Sequence, residues 1–341
     1  MDEIERVRPR FSKNLSQNEL EGIRLEKAGG KEDVLKQLEK RLGRTHARQR
    51  LGIESDYEAK VFGHGLNFFH IENWYSIHSV IKNGLRLMGL YGRGKQNTLD
   101  IQIKHNDIYL PGLPKAFDGF TILHASDLHV DMNWKATRVM TKCLATLEYD
   151  ICVLTGDYRA KTFGEYKRSL AGMRQIRTSL NSPIYAVLGN HDTVQMVPGL
   201  EAMDIRLLLN ESVVIEKDDA LIHLVGIDDA HYYRVDNIEK AVEGVPHGDF
   251  SILLSHTPEI YQQAAHAEFN LMLCGHTHGG QICLPGGFPL TLDANCPRYL
   301  GAGPWQYHGM TGYTSAGCGT SVVSVRLNCP PEITLHRLRI V

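Results

Sequence analysis

Five short polar blocks, most of them directly after an apolar run, constrain the fold of this chain more than any other feature. They occupy residues 127–129, 156–157, 189–192, 255–256 and 275–280. The runs before them are four to six residues long and rich in Ile, Val and Leu, which is typical of buried strands. Because ligand-binding residues gather at the carboxyl ends of strands in layered folds, we expect the five blocks to meet.

Strands and helices alternate through most of the chain. The sequence predicts helices over residues 134–147 and 165–180. It predicts strands over residues 99–109, 120–126, 151–155, 183–188, 212–216, 221–227, 250–254, 269–274, 321–327 and 333–338. That is more strands than one parallel sheet requires. The prediction is therefore an α/β fold, a four-layer αββα sandwich with two mixed β-sheets and helices on the outside.

The blocks contain the side chains that divalent metal ions bind. Two Asp, one Asn and four His are candidate ligands: Asp127, His129, Asp157, Asn190, His256, His276 and His278. Carboxylate, amide and imidazole donors together suit manganese, iron or zinc. A single histidine would be a structural residue, but this many donors in order can hold two ions about 3.5–4 Å apart, which clamp a phosphoryl group. We predict a binuclear metal site at the strand carboxyl ends.

The sequence motifs in the blocks resemble those of the calcineurin-like metallophosphoesterase superfamily. The motifs DxH, GD, GNHD, a single His and GHxH appear in that order, and the resemblance covers residues 118–341. The longer sequence motifs GHTHGGQ at 275–281 and RLNCPPE at 326–332 resemble those of a bacterial subgroup, many of whose members carry an amino-terminal membrane anchor. We expect no anchor here, because residues 1–10 are charged and no run approaches about 20 apolar residues.

The resemblance implies a role for each candidate residue. It implies a first ion on Asp127, His129 and His278, a bridging carboxylate at Asp157, and a second ion on Asn190, His256 and His276. His191 would assist the leaving group, and Asp192 would orient His191. The implied activity is metal-dependent phosphoester hydrolysis, a phosphodiesterase above all, in which a hydroxide bridging the two ions attacks phosphorus in line. Manganese is the preferred ion, with iron or zinc as alternatives.

Two other functions stay open at this point. One is hydrolysis of a pyrophosphate or phosphomonoester in a lipid-linked or nucleotide substrate. The other is a metal-binding scaffold without catalysis, which would be expected to lack ligands or His191, whereas all are present.

Four residues are candidates for substrate contact. Arg159 follows the second block and would either bind a phosphate oxygen or form a surface ion pair. Residues 293–310 are rich in Gly, Pro and aromatic residues and predict a loop at the rim of the site. Trp305, Tyr307 and His308 in that loop would contact the substrate, unless they only pack the loop.

The net charge indicates which class of partner to expect, and the cysteine content indicates the cellular compartment. A formal net charge of -2 gives no electrostatic reason to expect nucleic acid binding, so a small phosphorylated substrate is the expected partner. The seven cysteines form no CxxC pair, and most lie in apolar runs. They predict reduced core thiols in a cytoplasmic protein. The oligomeric state is left open.

The first part of the chain has a different composition. Residues 1–115 predict a helical extension with a short strand, packed on a catalytic domain at 116–341. Residues 66–90 form a basic, aromatic-rich amphipathic stretch. It predicts a helix packed on the catalytic domain, or else a peripheral contact with a membrane or lipid through residues 66–95.

Overall fold

The computed structural model describes residues 33–62, 75–181 and 183–341, and two six-stranded mixed sheets form its centre. From edge to edge, the first sheet contains β1 (Gln102–Leu110), β14 (Glu332–Ile340), β2 (Thr121–Ala125), β3 (Ile151–Thr155), β4 (Ile184–Val187) and β5 (Arg206–Leu207). The second contains β12 (Gly303–Tyr307), β13 (Met310–Thr314), β9 (Leu271–Cys274), β8 (Ser251–Leu254), β7 (Ala220–Gly226) and β6 (Glu211–Lys217). A small hairpin joins β10 (Cys283–Leu284) to β11 (Phe288–Pro289).

Helices accompany the strands along the chain. They are α1 (33–42), α2 (Arg44–Phe62), α3 (Tyr75–Leu87), α4 (Tyr91–Asn97), α5 (Trp134–Leu144), α6 (Lys167–Arg177), α7 (Val197–Glu201), α8 (Ile238–Ala241) and α9 (Tyr261–His266). The helix α5 begins where predicted, because the Asn133 side chain accepts from the backbone N–H groups of Lys135 and Ala136. Both α5 and α6 end about three residues before the predicted ends.

The two sheets pack face to face, and helices cover their outer faces. Alternate residues of each strand fill the space between the sheets, such as Ile122 and Val153 from the first and Leu224, Ile252 and Leu271 from the second. The opposite faces carry separate cores: Leu123 and Leu154 lie with Met140 and Met173, and Val225 and Leu253 lie with Ile260 and Ala264. Because both faces of the strands are covered, the central strands are apolar throughout. The predicted αββα sandwich is confirmed.

Two stretches differ from their predicted secondary structure. Residues 321–327 form no strand, and only Leu327 makes an isolated bridge, with Ile282. Val323, Val325 and Leu327 instead pack against Leu85 of α3 in a small separate cluster. The predicted rim loop at 293–310 contains strand β12, which forms a hairpin with β13.

Strand β1, which lies within the predicted amino-terminal extension, belongs to the first sheet. Strand β1 pairs in parallel with β14 over nine residue pairs, from Gln102 with Glu332 to Leu110 with Ile340. The predicted boundary between 115 and 116 therefore separates two strands of a single sheet. The predicted strand at 99–109 corresponds to β1.

Of the predicted amphipathic stretch, residues 66–74 lie outside the described part of the chain. Helix α3 follows them, and it buries Leu85 while leaving Val80 and Leu87 exposed. Within residues 33–62, 75–181 and 183–341, no helix combines the length and the apolar character needed to cross a membrane.

Candidate metal centre

The loops that follow five strands, three from the first sheet and two from the second, bring the predicted ligands together. Asp127 lies two residues after β2 and Asp157 two residues after β3, while residues 189–192 follow β4. His256 lies two residues after β8 and His276 two residues after β9. All seven predicted ligands are buried. The site therefore lies where the carboxyl ends of strands from both sheets converge.

The ligands form two groups of three. In one, the ligand atoms of Asp127, His129 and His278 lie within 4.8 Å of one another; in the other, those of Asp157, His256 and His276 do so. In the first group, Asp127 Oδ1 lies 3.4 Å from His278 Nε2, and the Nε2 atoms of His129 and His278 lie 3.2 Å apart.

Asp157 lies between the two groups. Its Oδ2 atom is 3.4 Å from His256 Nε2 in its own group and 3.7 Å from His129 Nε2 in the other. Asn190 adds an amide oxygen to the second group, because its Oδ1 lies 2.9 Å from His256 Nε2. His276 Nδ1 lies 3.2 Å from the same nitrogen. The predicted set of seven donors thus converges with Asp157 at its centre.

Hydrogen bonds on the far side of two imidazoles show that the donor set suits metal ions. The Nδ1–H of His129 donates to the Arg159 carbonyl at 2.7 Å, and the Nδ1–H of His256 donates to the Thr155 carbonyl at 2.7 Å. A neutral imidazole held this way directs its unprotonated Nε2 towards the centre. Lone pairs and carboxylates that face each other at these distances repel one another unless a proton or a metal ion lies between them. In the metal-free protein that role falls to a proton on His256, because, although burial lowers the pKa of this imidazole, Asp157 raises it to about 10.

Burial and neighbouring charges set the ionisation of the ligands. Although burial raises the pKa of the Asp157 carboxyl, the imidazoles of His256 and His191 hold it well below its usual range. Burial raises the pKa of Asp127 to about 6 and lowers that of His129 to about 4. His129 is therefore neutral at pH 7, as metal binding requires.

The backbone at the ligands is held in an unusual conformation. The φ angle is 52° at Asp127, 58° at Asp157 and 74° at His276, in the left-handed region that costs a non-glycine residue about 1–3 kcal/mol. Gly275 permits this packing, because a Cβ atom there would lie 1.9 Å from Ser126 Oγ. Stability is thus given up at the residues that would bind metal.

Comparison with known proteins supplies the family. Residues 120–280 match the calcineurin-like phosphoesterases. An uncharacterised metallophosphoesterase of Aquifex aeolicus is 31% identical over an alignment of 267 residues that covers 74% of this chain and 97% of that protein. The chain belongs to the calcineurin-like phosphoesterase family. The metallophosphoesterase YkoQ of Bacillus subtilis, also uncharacterised, is 29% identical over 72% of this chain and 93% of its own length. Phosphodiesterase YaeI of Escherichia coli is 28% identical over 64% of this chain and 82% of its own length.

In this metallophosphoesterase, His191 lies beside the ligands but belongs to neither group of three. Its Nε2 is 3.9 Å from Asp157 Oδ2, and its ring stands edge-on to that of His129 with centroids 5.2 Å apart. Its backbone N–H donates to Asp157 Oδ1 at 2.9 Å, and its Nδ1 lies 3.4 Å from Thr162 Oγ1. The imidazole is therefore positioned from its own backbone and from the 159–164 loop.

Asp192 joins two of the turns at the site. Its carboxylate accepts from the backbone N–H groups of Gly189 at 2.9 Å, Asp157 at 2.8 Å and Tyr158 at 2.9 Å. It thereby connects the turn that carries Asp157 to the turn that carries Asn190 and His191. None of these three bonds is with the His191 imidazole, whose orientation by Asp192 stays a prediction.

Arg159 is buried rather than at the surface. It is 2% exposed, so it forms no surface ion pair. Its guanidinium donates to the carbonyls of His191, Thr162 and Gly164. Those bonds use one N–H on each guanidinium nitrogen and hold the 159–164 loop against His191, and the predicted phosphate contact stays a prediction.

The structure places the three predicted aromatic contacts away from the ligands. Trp305 is buried in the core of the second sheet, where its Nε1–H donates to Thr314 Oγ1 at 2.9 Å. Tyr307 packs edge-on against Tyr261 of α9, with centroids 4.7 Å apart, and against His308. The three residues belong to the β12–β13 hairpin, whose turn at Tyr307 and His308 lies at the opposite end of the sheet from His276.

Sequence reasoning missed Arg326, a fully buried cation. Its guanidinium donates to the carbonyls of His278 at 2.9 Å, Ala316 at 2.8 Å and Gly319 at 2.7 Å. The N–H of Gly319 in turn donates to the Asp127 carbonyl at 2.8 Å. Arg326 therefore links the backbones of the candidate ligands His278 and Asp127. Its only signal in the sequence was its place in the RLNCPPE motif.

Helix α2 supplies two further residues that were missed. Glu54 accepts from the Thr193 hydroxyl and, at 2.8 Å, from the Val194 N–H. Arg50 donates to the Asp192 carbonyl at 3.0 Å and lies 3.2 Å from Glu54 Oε1. Their spacing of four residues is typical of an exposed helical ion pair, so no sequence pattern indicated that both are buried.

Proposed function

We propose that this protein is a phosphodiesterase that uses two divalent ions, manganese by preference, on a small phosphorylated substrate. The observation that carries the proposal is the position of Asp157, whose Oδ2 lies within 4 Å of imidazoles from both ligand groups. A carboxylate in that position can bind two ions at once. The groups of three on either side give each ion ligands of its own.

Two ions bound there would act as Lewis acids, activating water and neutralising charge on the phosphoryl oxygens. His191 would act from the side, as a hydrogen-bond donor to an ester oxygen. Its Nε2 lies 3.9 Å from Asp157 Oδ2, which keeps the imidazole next to the place where phosphorus would bind. Asp192 and Arg159 would fix the two turns between which that imidazole is held.

Two considerations favour a diester over a monoester or pyrophosphate. A monoester carries more negative charge, and binding it calls for cationic side chains directed at the phosphate. The buried guanidinium groups of Arg159 and Arg326, both beside the ligands, instead donate to backbone carbonyls. In addition, a relative that is 28% identical bears the name phosphodiesterase.

The test compares two chromogenic substrates on protein whose metal content is known. After loading with manganese and elemental analysis, we expect about two ions per chain and a kcat/KM at least about tenfold higher for bis(p-nitrophenyl) phosphate than for p-nitrophenyl phosphate. A preference for the monoester would reject the diesterase and favour the phosphomonoesterase alternative. Two bound ions with turnover of neither substrate would favour the non-catalytic scaffold.

A further inference from the structure

A cavity of about 530 Å³ lies beside the second ligand group. We call it the side pocket; its wall includes Tyr57, His231, Tyr232, Glu259, Asp293 and Ala294. The ring centroid of His231 lies 4.2 Å from that of His276. Ligand-type atoms of His231, His276 and Asp293 all lie within 4.8 Å of one another. One wall of the side pocket is therefore in contact with a candidate metal ligand.

Hydrogen bonds hold the wall of the side pocket in place. The carboxylate of Asp229, which is fully buried, accepts from the backbone N–H groups of Tyr232 at 2.8 Å and Tyr233 at 2.6 Å. Glu259 Oε1 lies 3.0 Å from His231 Nδ1 and accepts from the Asn295 N–H at 2.6 Å. Glu259 thus joins the two loops that face each other across the pocket. A wall fixed in this way needs little rearrangement to bind a ligand.

The volume of the side pocket exceeds what a phosphoryl group needs. Pockets for small organic ligands measure about 300–1,000 Å³, and the side pocket falls in that range. A substrate with only small alkyl groups would leave most of this space to water. The volume therefore suits an organic substituent attached to the phosphate.

The composition of the wall indicates which substituent fits. Tyr57 and Tyr232 line it with their rings packed edge-on, centroids 5.1 Å apart, and Leu292 and Ala294 add apolar surface. The charged groups are of both signs, since Arg234 lies on the same wall as Glu259 and Asp293. Aromatic and apolar surface without a dominant charge favours a flat ring with no charge of its own.

We propose that the side pocket binds one ester substituent of the substrate and selects a planar, uncharged ring. The proposal rests on the phosphodiesterase function proposed above, because it places the phosphate at the metal centre and the ring beyond His276. Ring stacking on the wall would hold the substrate by a group that takes no part in the chemistry. The pocket would then set specificity through substrate binding rather than through the rate of the chemical step.

The experiment fills the side pocket with a larger side chain and leaves the candidate metal ligands unchanged. Ala294→Trp places a large ring in the side pocket, and Ala267→Trp, at an exposed position after α9, is the matched control. With the manganese-loaded protein, Ala294→Trp should raise the KM for bis(p-nitrophenyl) phosphate at least about tenfold, with kcat within about threefold of the unmodified chain. Ala267→Trp should change neither constant by more than about twofold.

A binding measurement separates the pocket from the reaction. Calorimetric titration of the manganese-loaded protein with diphenyl phosphate should give a Kd at least about tenfold weaker in Ala294→Trp. The Kd for dimethyl phosphate, which has no ring, should be the same in both proteins, and that result also shows that the variant is folded. If Ala294→Trp weakens the binding of diphenyl phosphate and dimethyl phosphate equally, or weakens neither, the assignment of the pocket is overturned. Selective loss of diphenyl phosphate binding in a protein that does not hydrolyse the diester would reject the proposed function and retain the pocket.

Discussion

Replacing Glu54 on helix α2 should destabilise the protein and weaken its metal centre together. The Glu54 carboxylate is buried and accepts hydrogen bonds from Thr193 and Val194, in the chain segment that follows Asn190 and His191. The same carboxylate pairs with Arg50, which donates to the Asp192 carbonyl. Glu54→Ala removes the two hydrogen bonds and the ion pair with Arg50 at once.

The expected loss of unfolding free energy follows from the contacts that Glu54→Ala removes and from the partners it leaves unpaired. A hydrogen bond to a charged group contributes about 1.5–3 kcal/mol, and Glu54 accepts two. Truncating one partner of a buried ion pair costs about 3–5 kcal/mol, although Arg50 retains Asp228 Oδ1 at 3.7 Å. These losses overlap, so we expect a total of about 3–5 kcal/mol. Glu54→Gln keeps an acceptor of the same shape and should lose less.

Urea unfolding of the metal-free protein measures the first effect, and manganese titration with elemental analysis measures the second. Because Glu54 supports the segment next to Asn190, the second ion should bind about 10–100-fold more weakly, as when groups behind a metal ligand are removed. Glu58→Ala is the control, since this residue is exposed one turn further along α2 and should change stability by less than about 0.5 kcal/mol. A loss below about 1 kcal/mol with unchanged manganese affinity would show that α2 is no part of the site.

Three further outcomes are expected. Asp157→Asn should nearly abolish diester hydrolysis, and elemental analysis should find fewer than two ions per chain; full metal content would contradict the bridging role. His191→Ala should retain both ions while the rate falls by about 10²–10⁴, and loss of an ion would show that it is a ligand. Burial lowers the pKa of His124 from 6.5 to about 3, so the unfolded state binds the proton first as pH falls. Unfolding free energy should therefore be lost between about pH 6.5 and 3, by up to about 1.4 kcal/mol per pH unit from this residue. Metal-free His124→Gln should show a shallower dependence in urea unfolding, and an unchanged slope would contradict the assignment.

The parts of the fold that the sequence predicted are those with a local signal. An apolar run that ends in Asp, Asn or His marks both the buried strand and the ligand after it, so the seven donors converge as expected. The failure at 321–327 is instructive, because Val323, Val325 and Leu327 do alternate as in a strand. Their side chains pack against α3, while Arg326 between them turns inward to backbone carbonyls. Alternation predicted the buried apolar side chains but not the burial of Arg326, and it does not show whether the backbone has a partner strand.

What could not be predicted depends on backbone groups or on distant parts of the chain. Asp192 and Arg159 bind N–H groups and carbonyls of neighbouring turns, and no pattern of residue types reveals such partners. The side pocket brings Tyr57, His231 and Asp293 together from three separate stretches. The same holds for Glu54, whose partners lie about 140 residues further along.

The parallel pairing of β1 with β14 also bears on how the protein is made. Gln102 and Glu332 are neighbours in the sheet, yet 230 residues of chain, 332 minus 102, separate them. At about 5–20 residues per second, a ribosome needs about 10–50 s to make that stretch. Meanwhile β1 and β2 both lack the strand that lies between them, and an unpaired edge can bind another chain. Strand β2 leads into Asp127, so the first metal site gains its full support only after β14 has been synthesised.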